Sequence, residues 1–311
     1  MNIVFFGTSP FGLPTLETIL KSAHTLSAIV TTPDKHTGRF LSLQPSPVKQ
    51  WAMEKKILLL EASPQNIASL EGELKKIGAD VFVVVSFGVI LPKAILEIPR
   101  LAALNIHSSL LPKYRGPAPI HWAILNGDAS TGVTVMRMAP TLDTGDILLQ
   151  ESTPIEPNEE GPALSQRLAV MGASALERSL SLFEKKQEIF KPQENALATY
   201  ARKITKEDGH IRWNESADKV YARIRALAGW PGTYTFWKGK RILIRQASID
   251  LKAISTAPPG QIFSASTGEG IQVSTGKGVL RIGELQAEGK KPLPASQFLL
   301  GTPLKPGDIL E

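Results

Sequence analysis

The sequence predicts an α/β chain: a doubly wound, Rossmann-like parallel sheet domain followed by a smaller OB-like β-barrel domain. Three observations point there. The first half alternates short apolar, β-branched runs with amphipathic stretches, the pattern of βα units on a parallel sheet. Within it, VFVVVS at Val81 to Ser86 is apolar on both faces, as a central parallel strand must be when helices cover both sides. Beyond residue 204 the pattern changes to short alternating strands separated by Gly and Pro turns. With 311 residues, 42% of them hydrophobic and 21% charged, the chain can build two cores without metals or disulfides.

In order, Asn2 to Phe6 reads as the opening strand. Further strands are expected at Leu26 to Thr31, Ile57 to Leu60, Val81 to Ser86, Ala103 to His107 and Gly132 to Arg137. Helical periods lie between them, around Leu13 to Lys21, Ser46 to Lys55, Ile67 to Ile77 and Pro119 to Leu125. Ala163 to Lys185 reads as the closing helix of a catalytic domain covering residues 1–190. The polar stretch over 191–204 reads as a linker. A second domain then covers 205–311, with a helix near Ala217 to Leu227 and strands at Thr233 to Trp237, Arg241 to Ile249, Ile271 to Ser274 and Val279 to Leu285. The glycine-rich turn GTSPFG matches neither a dinucleotide nor a P-loop fingerprint and reads as a structural βα turn.

The absence of cysteine excludes disulfides, Cys-ligated zinc, iron–sulfur clusters and a catalytic thiol, and fits a reducing cytoplasm. His24, His36, His107, His121 and His210 share no metal-ligand spacing, so no metal is expected. No apolar run approaches the length of a membrane span. Net charge is +6, and residues from Thr205 onward hold 15 basic against 10 acidic side chains, so the excess belongs to the last third. A basic domain of that kind points to a polyanionic partner.

His107 lies in LNIHSSLLPKYRGPAPI, where an apolar strand ends in polar residues, the place where open α/β sheets bind ligands. Asn105, two residues earlier, shares a strand face with it. A second polar knot, PTLDTGDIL, follows the strand that ends at Arg137; there Asp146 reads as a turn-former and Asp143 as a carboxylate able to orient an imidazole. Asn105, His107 and Asp143 suit acyl transfer to an amine. An amide can donate to an oxyanion, and an imidazole can carry the proton that the attacking amine must lose. No Ser or Cys nucleophile is needed.

The run NIHSSLLPKYRG with LDTGD downstream resembles the folate-dependent formyltransferases. That resemblance implies catalytic roles for Asn105, His107 and Asp143. It implies a folate site along Ser109, Leu110, Leu111 and Pro112, with the pterin read by SFGVILP through Ser86, Phe87, Gly88 and Ile90. The segments ITKEDGHIRWNESADKVYARIRAL, GWPGTYTFWKGKRILI and GKKPLPASQFL resemble the carboxyl-terminal domain of the members that act on tRNA. An insertion, TPDKHTGRFLSLQPSPVK, resembles the loop with which those members inspect the acceptor end. The resemblance therefore implies 10-formyltetrahydrofolate as cosubstrate, tetrahydrofolate as product and initiator methionyl-tRNA as acceptor; a monomer is expected, an expectation that no motif of the sequence carries. Arg39, Lys206, Arg223, Lys240 and Lys290 are the expected tRNA contacts. The rivals are a sugar-nucleotide formyltransferase and a tRNA-binding module without chemistry.

Overall fold

A computed structural model describes residues 1–37, 42–268 and 270–311, in two compact units. In chain order the elements as far as Ala201 are β1 (Asn2–Gly7), α1 (Leu13–Lys21), β2 (Thr25–Thr31), β3 (Lys35–Thr37), β4 (Ser42–Gln44), α2 (Pro47–Lys55), β5 (Leu59–Glu61), α3 (Glu71–Ile77), β6 (Val81–Val85), α4 (Lys93–Leu96), β7 (Ala102–His107), α5 (Pro119–Leu125), β8 (Ser130–Arg137), β9 (Ile147–Pro154) and α6 (Gly161–Glu184).

The first unit comprises residues 1–119, 130–154 and 165–201. Its sheet runs β5-β2-β1-β6-β7-β8-β9. The first five strands are mutually parallel, and β6, with every residue buried, is the central one. The last two depart from the all-parallel expectation, since β8 runs antiparallel to β7 and β9 antiparallel to β8. β9 escapes the apolar-run criterion because its residues ILLQESTP alternate between partly buried and exposed, as an edge strand's do. A short hairpin, β3 with β4, flanks the inserted loop.

Local signals account for the helix boundaries. Ser46 caps α2 by accepting from the Lys49 backbone N–H at 3.1 Å, with Pro47 at the first position. α3 carries Glu71 and Glu73 in its first turn, Lys75 and Lys76 in its last, and stops at Gly78 in the left-handed region. The GTSPFG turn is glycine-flanked for space: a Cβ on Gly7 or Gly12 would lie 2.5 or 2.8 Å from the Phe5 ring. Under the sheet, Phe6, Phe82 and Phe87 pack with tilted and edge-on rings among Val4, Val30 and Leu74.

The second unit takes residues 120–129, 155–164 and 202–311. It contains α7 (Ala217–Ala226), β10 (Thr233–Trp237), β11 (Lys240–Ile249), β12 (Ile262–Ser266), β13 (Gly270–Ser274), β14 (Val279–Ala287), β15 (Leu293–Pro294) and α8 (Ala295–Gly301). The antiparallel order is β10-β11-β14-β13-β12, with β15 on β14. The chain's last residues join the two outer strands: the Asp308 carbonyl accepts from Ile262 of β12 at 2.8 Å, and Glu311 exchanges two bonds with Phe236 of β10 at 2.9 and 2.8 Å. Closure removes the free edges and gives the barrel form. Trp213, Val220, Ile224, Ile271, Ile282 and Phe298 fill it.

Candidate active site

β7 delivers the first two site residues. Asn105 pairs with Val84 of β6 and Met136 of β8, while His107 pairs with Thr134, so the strand is extended through Ile106 and both side chains share a face. They line one cleft of about 520 Å³ in the first unit, together with Ser86, Phe87, Gly88 and Ile90 after β6, Met138 after β8, and Tyr200. Asp143 lines the same cleft from the loop between β8 and β9. The three residues singled out in the sequence are therefore brought together.

His107 and Asp143 are 7% and 8% exposed, so a charge on either side chain acts in a region with little water. A backbone carbonyl can only accept, so the 2.9 Å contact from His107 Nε2 to Tyr114 O puts a hydrogen on Nε2. In the neutral ring Nδ1 then holds the lone pair, and it lies 3.7 Å from Asp143 Oδ2. A proton arriving at Nδ1 meets a carboxylate within ion-pair range. Asp143 Oδ2 also accepts from the Gly116 N–H at 2.7 Å, which fixes the carboxyl group. The side chain of Asn105 is half-buried and has no hydrogen-bond partner among the described residues, which leaves its amide available to a ligand in the cleft.

The loop around Asp143 is held in an unusual shape. Asp143 has φ 54°, and Ser86, which lines the same cleft, and Tyr114, whose carbonyl meets His107, also take positive φ, 48° and 61°. Gly145 sits where a Cβ would be 1.7 Å from the Arg137 carbonyl. Gln193 bonds the carbonyls of Asp143 and Gly145, and Gly116 packs so closely on the Ala201 carbonyl that a Cβ would approach it to 2.7 Å. These contacts from 193–201 escape sequence reasoning, because a polar stretch without period reads as a linker. The structure lays Lys191 to Ala201 on the first unit, with Lys191 bridged to Ile147 and Tyr200 to Arg115.

Of the residues expected at a folate site, Ser86, Phe87, Gly88 and Ile90 line the cleft. Ser109, Leu110, Leu111 and Pro112 are not among its lining residues. Ser109 and Leu111 are buried; the Ser109 hydroxyl donates to Lys113 O at 2.7 Å, and Thr134 and Gln150 strap the segment by bonding the carbonyls of Ser109 and Leu111, each at 2.7 Å. Among the described residues no group of three His, Asp or Glu side chains could hold a metal ion. None of the described helices is long and apolar enough to cross a membrane.

In the second unit Lys240 and Lys290 are exposed and line one groove with Phe236, Trp237 and Phe298. Lys206 is exposed as well. Arg223 is not displayed: it donates to Glu215 at 2.8 Å and to the Asp208 carbonyl at 3.0 Å, and its side chain is 14% exposed. Its sequence position gave only its charge. Arg39 lies outside the described residues.

A doubly wound sheet with an amide, an imidazole and a carboxylate gathered at its strand ends, joined to a closed barrel, defines a class of group transferase. The chain belongs to the formyl transferase family: residues 1–180 match its formyl transferase model and residues 203–303 its formyl transferase C-terminal domain. It is 41% identical to the methionyl-tRNA formyltransferase of Citrifermentans bemidjiense over 310 residues, 100% of this chain and 96% of that one. Among solved structures, the N-formyltransferase of Helicobacter canadensis, in complex with folinic acid and dTDP-3-aminofucose, is similar with a TM-score of 0.67 at 20% identity, over 92% of this chain and 98% of that chain. HypX of Aquifex aeolicus in complex with tetrahydrofolic acid gives a TM-score of 0.63 at 17% identity. That match covers 96% of this chain, which spans about half, 46%, of the HypX chain. At these identities the structures speak to the fold.

Proposed function

We propose that the chain transfers the formyl group of 10-formyltetrahydrofolate to the free amino group of initiator methionyl-tRNA, in the cytoplasm. The observation that carries the chemistry is the buried His107–Asp143 pair lining one cleft together with Asn105. The acceptor follows from end-to-end relatedness at about 40% identity to proteins named methionyl-tRNA formyltransferase.

The amine of the methionyl group attacks the formyl carbon. Asn105 donates to the formyl oxygen as negative charge gathers there, a contact stronger in the transition state than in the ground state. His107 takes the proton that the attacking nitrogen loses, on Nδ1, where Asp143 neutralises the imidazolium. It returns that proton to the folate nitrogen as the carbon–nitrogen bond to folate breaks. One bond forms, one breaks, and the proton moves between the two nitrogens.

A cleft of about 520 Å³ suits a pterin ring. Leu91 and Leu142 supply apolar walls, and the backbone turning through Ser86, Phe87 and Gly88, with Ser86 and Gly88 at positive φ, offers polar groups to the ring edge; Ile90 covers it. Ser109, Leu110, Leu111 and Pro112 serve the folate site by holding the floor behind His107. Lys206, Lys240 and Lys290 meet tRNA phosphates, Arg39 of the inserted loop meets a phosphate or an unpaired base at the acceptor end, and Arg223 supports the barrel unit that carries the three lysines.

The test is direct. Purified protein given 10-formyltetrahydrofolate and methionyl-tRNA should yield formylmethionyl-tRNA, and free methionine in place of the charged tRNA should yield no product. Equal formylation of free methionine, or none of the charged tRNA, would reject the reading.

A further inference from the structure

We infer that Gln193 is a positioning residue that sets the Asp143 carboxylate against His107. Its side chain is used completely. Nε2 donates to the carbonyls of Asp143 at 2.9 Å and Gly145 at 2.8 Å, and Oε1 accepts from Arg115 Nε at 3.0 Å and Nη2 at 2.7 Å. Arg115 can only donate and the carbonyls can only accept, so the amide has one possible orientation.

The consequence is a closed circuit. Gly116, next to Arg115, donates its N–H to Asp143 Oδ2 at 2.7 Å. Gln193 therefore ties the backbone of the Asp143 loop to the segment whose backbone grips the Asp143 carboxylate. Asp143 takes φ 54°, a conformation that persists only where its surroundings over-determine it. Arg115 is braced from a second side by Asn195 Oδ1 at 2.8 Å, and the Arg115 backbone pairs with Thr199 and Ala201. The segment after α6 thus acts as a strap across the loop, and Gln193 is the rivet.

Gln193 touches neither reacting atom; it acts through Asp143. Its loss should lower kcat and spare the KM values of both substrates. The inference rests on the assignment of His107 and Asp143 made above.

Gln193→Ala and Gln193→Glu separate the two halves of the amide, because a glutamate still accepts from Arg115 but cannot donate to two carbonyls. Both variants should lower kcat about tenfold with KM values within about twofold of wild type. Placed on Asp143→Asn, Gln193→Ala should change kcat by less than about twofold, since two residues acting through one group are non-additive. Binding of tetrahydrofolate, followed by equilibrium titration, should be unchanged in every variant. Wild-type kcat in Gln193→Glu, a full further tenfold loss on the Asp143→Asn background, or lost tetrahydrofolate binding would each overturn the role given to Gln193. Wild-type kcat in Asp143→Asn alone would instead overturn the catalytic assignment beneath it.

Discussion

His107 Nδ1 lies 3.7 Å from Asp143 Oδ2, and the same oxygen accepts the Gly116 N–H at 2.7 Å, so the carboxylate is pinned before it meets the imidazole. This relation divides labour: the first unit holds the chemistry, and its failure should leave tRNA affinity intact. His107→Asn and Asp143→Asn should each cut turnover by about 100-fold or more, with tRNA binding within about twofold of wild type. Steady-state kinetics beside a filter-binding titration checks this. Near-normal turnover in both variants would remove the proposed proton carrier.

Gly145 offers a sharper geometric test. A methyl group there would sit 1.7 Å from a backbone oxygen, which cannot swing aside as a side-chain end can. Gly145→Ala should displace the Asp143 loop and lower kcat by about 100-fold, as loss of the carboxylate does. Gly72 in α3 has nothing within 4 Å of its Cβ position, so Gly72→Ala should leave kcat alone and raise stability by about 0.5–1 kcal/mol. Comparing the two by kinetics and thermal melting distinguishes a positioned loop from general intolerance of substitution.

The basic groove predicts a salt signature. Lys240→Ala and Lys290→Ala should weaken tRNA binding and flatten its salt dependence, each lost phosphate contact lowering the log–log slope by about 0.7–0.9. Arg223→Ala should leave that slope unchanged and lower the melting temperature, because its guanidinium is engaged with Glu215 and the Asp208 carbonyl. Arg39→Ala should lower formylation of whole tRNA while sparing tetrahydrofolate binding. A slope altered by Arg223→Ala, or untouched by both lysine variants, would move the tRNA surface elsewhere.

Acid should weaken the second unit in two steps. Burial lowers the pKa of His121, so as pH falls through about 6.5 the unfolded chain takes up a proton that the folded one resists, and stability drops. Asp208 is held at about 2, first by its hydrogen bonds with Arg202 and then by the Thr205 backbone N–H. Its contribution is present above the unfolded value near 4 and is lost as pH falls toward 2. Arg202 is half exposed, and solvent screening reduces that contribution to about 1 kcal/mol. Melting temperature followed from pH 8 to 3 should show both losses; His121→Gln should remove the first and Arg202→Ala shrink the second.

Much of this was legible in the sequence because period and composition act locally. The run VFVVVS announced a strand buried on both faces, and the change from apolar to polar residues at His107 announced a strand end. Asn105 and His107 could be placed on one face by spacing alone. The antiparallel β9 was hidden because an edge strand buries little of itself. Gln193 was hidden for a different reason: its value lies in partners 48 and 50 residues earlier, and no local pattern encodes a side-chain amide that bridges two distant loops. Arg223 shows the converse error, since a charge in a sequence does not reveal whether a glutamate eight residues away already holds it.

The central claim is that the acceptor is an aminoacyl-tRNA. Solved structures of similar fold include one named a sugar 3N-formyl transferase, so the decisive measurement offers both acceptors to one enzyme. With 10-formyltetrahydrofolate in excess, kcat/KM should be measured for initiator methionyl-tRNA and for a dTDP-linked amino sugar. The account predicts a ratio of about 1,000 or more in favour of the tRNA, because a small nucleotide sugar cannot engage the basic barrel unit. A ratio near one, or one that favours the sugar, would contradict it.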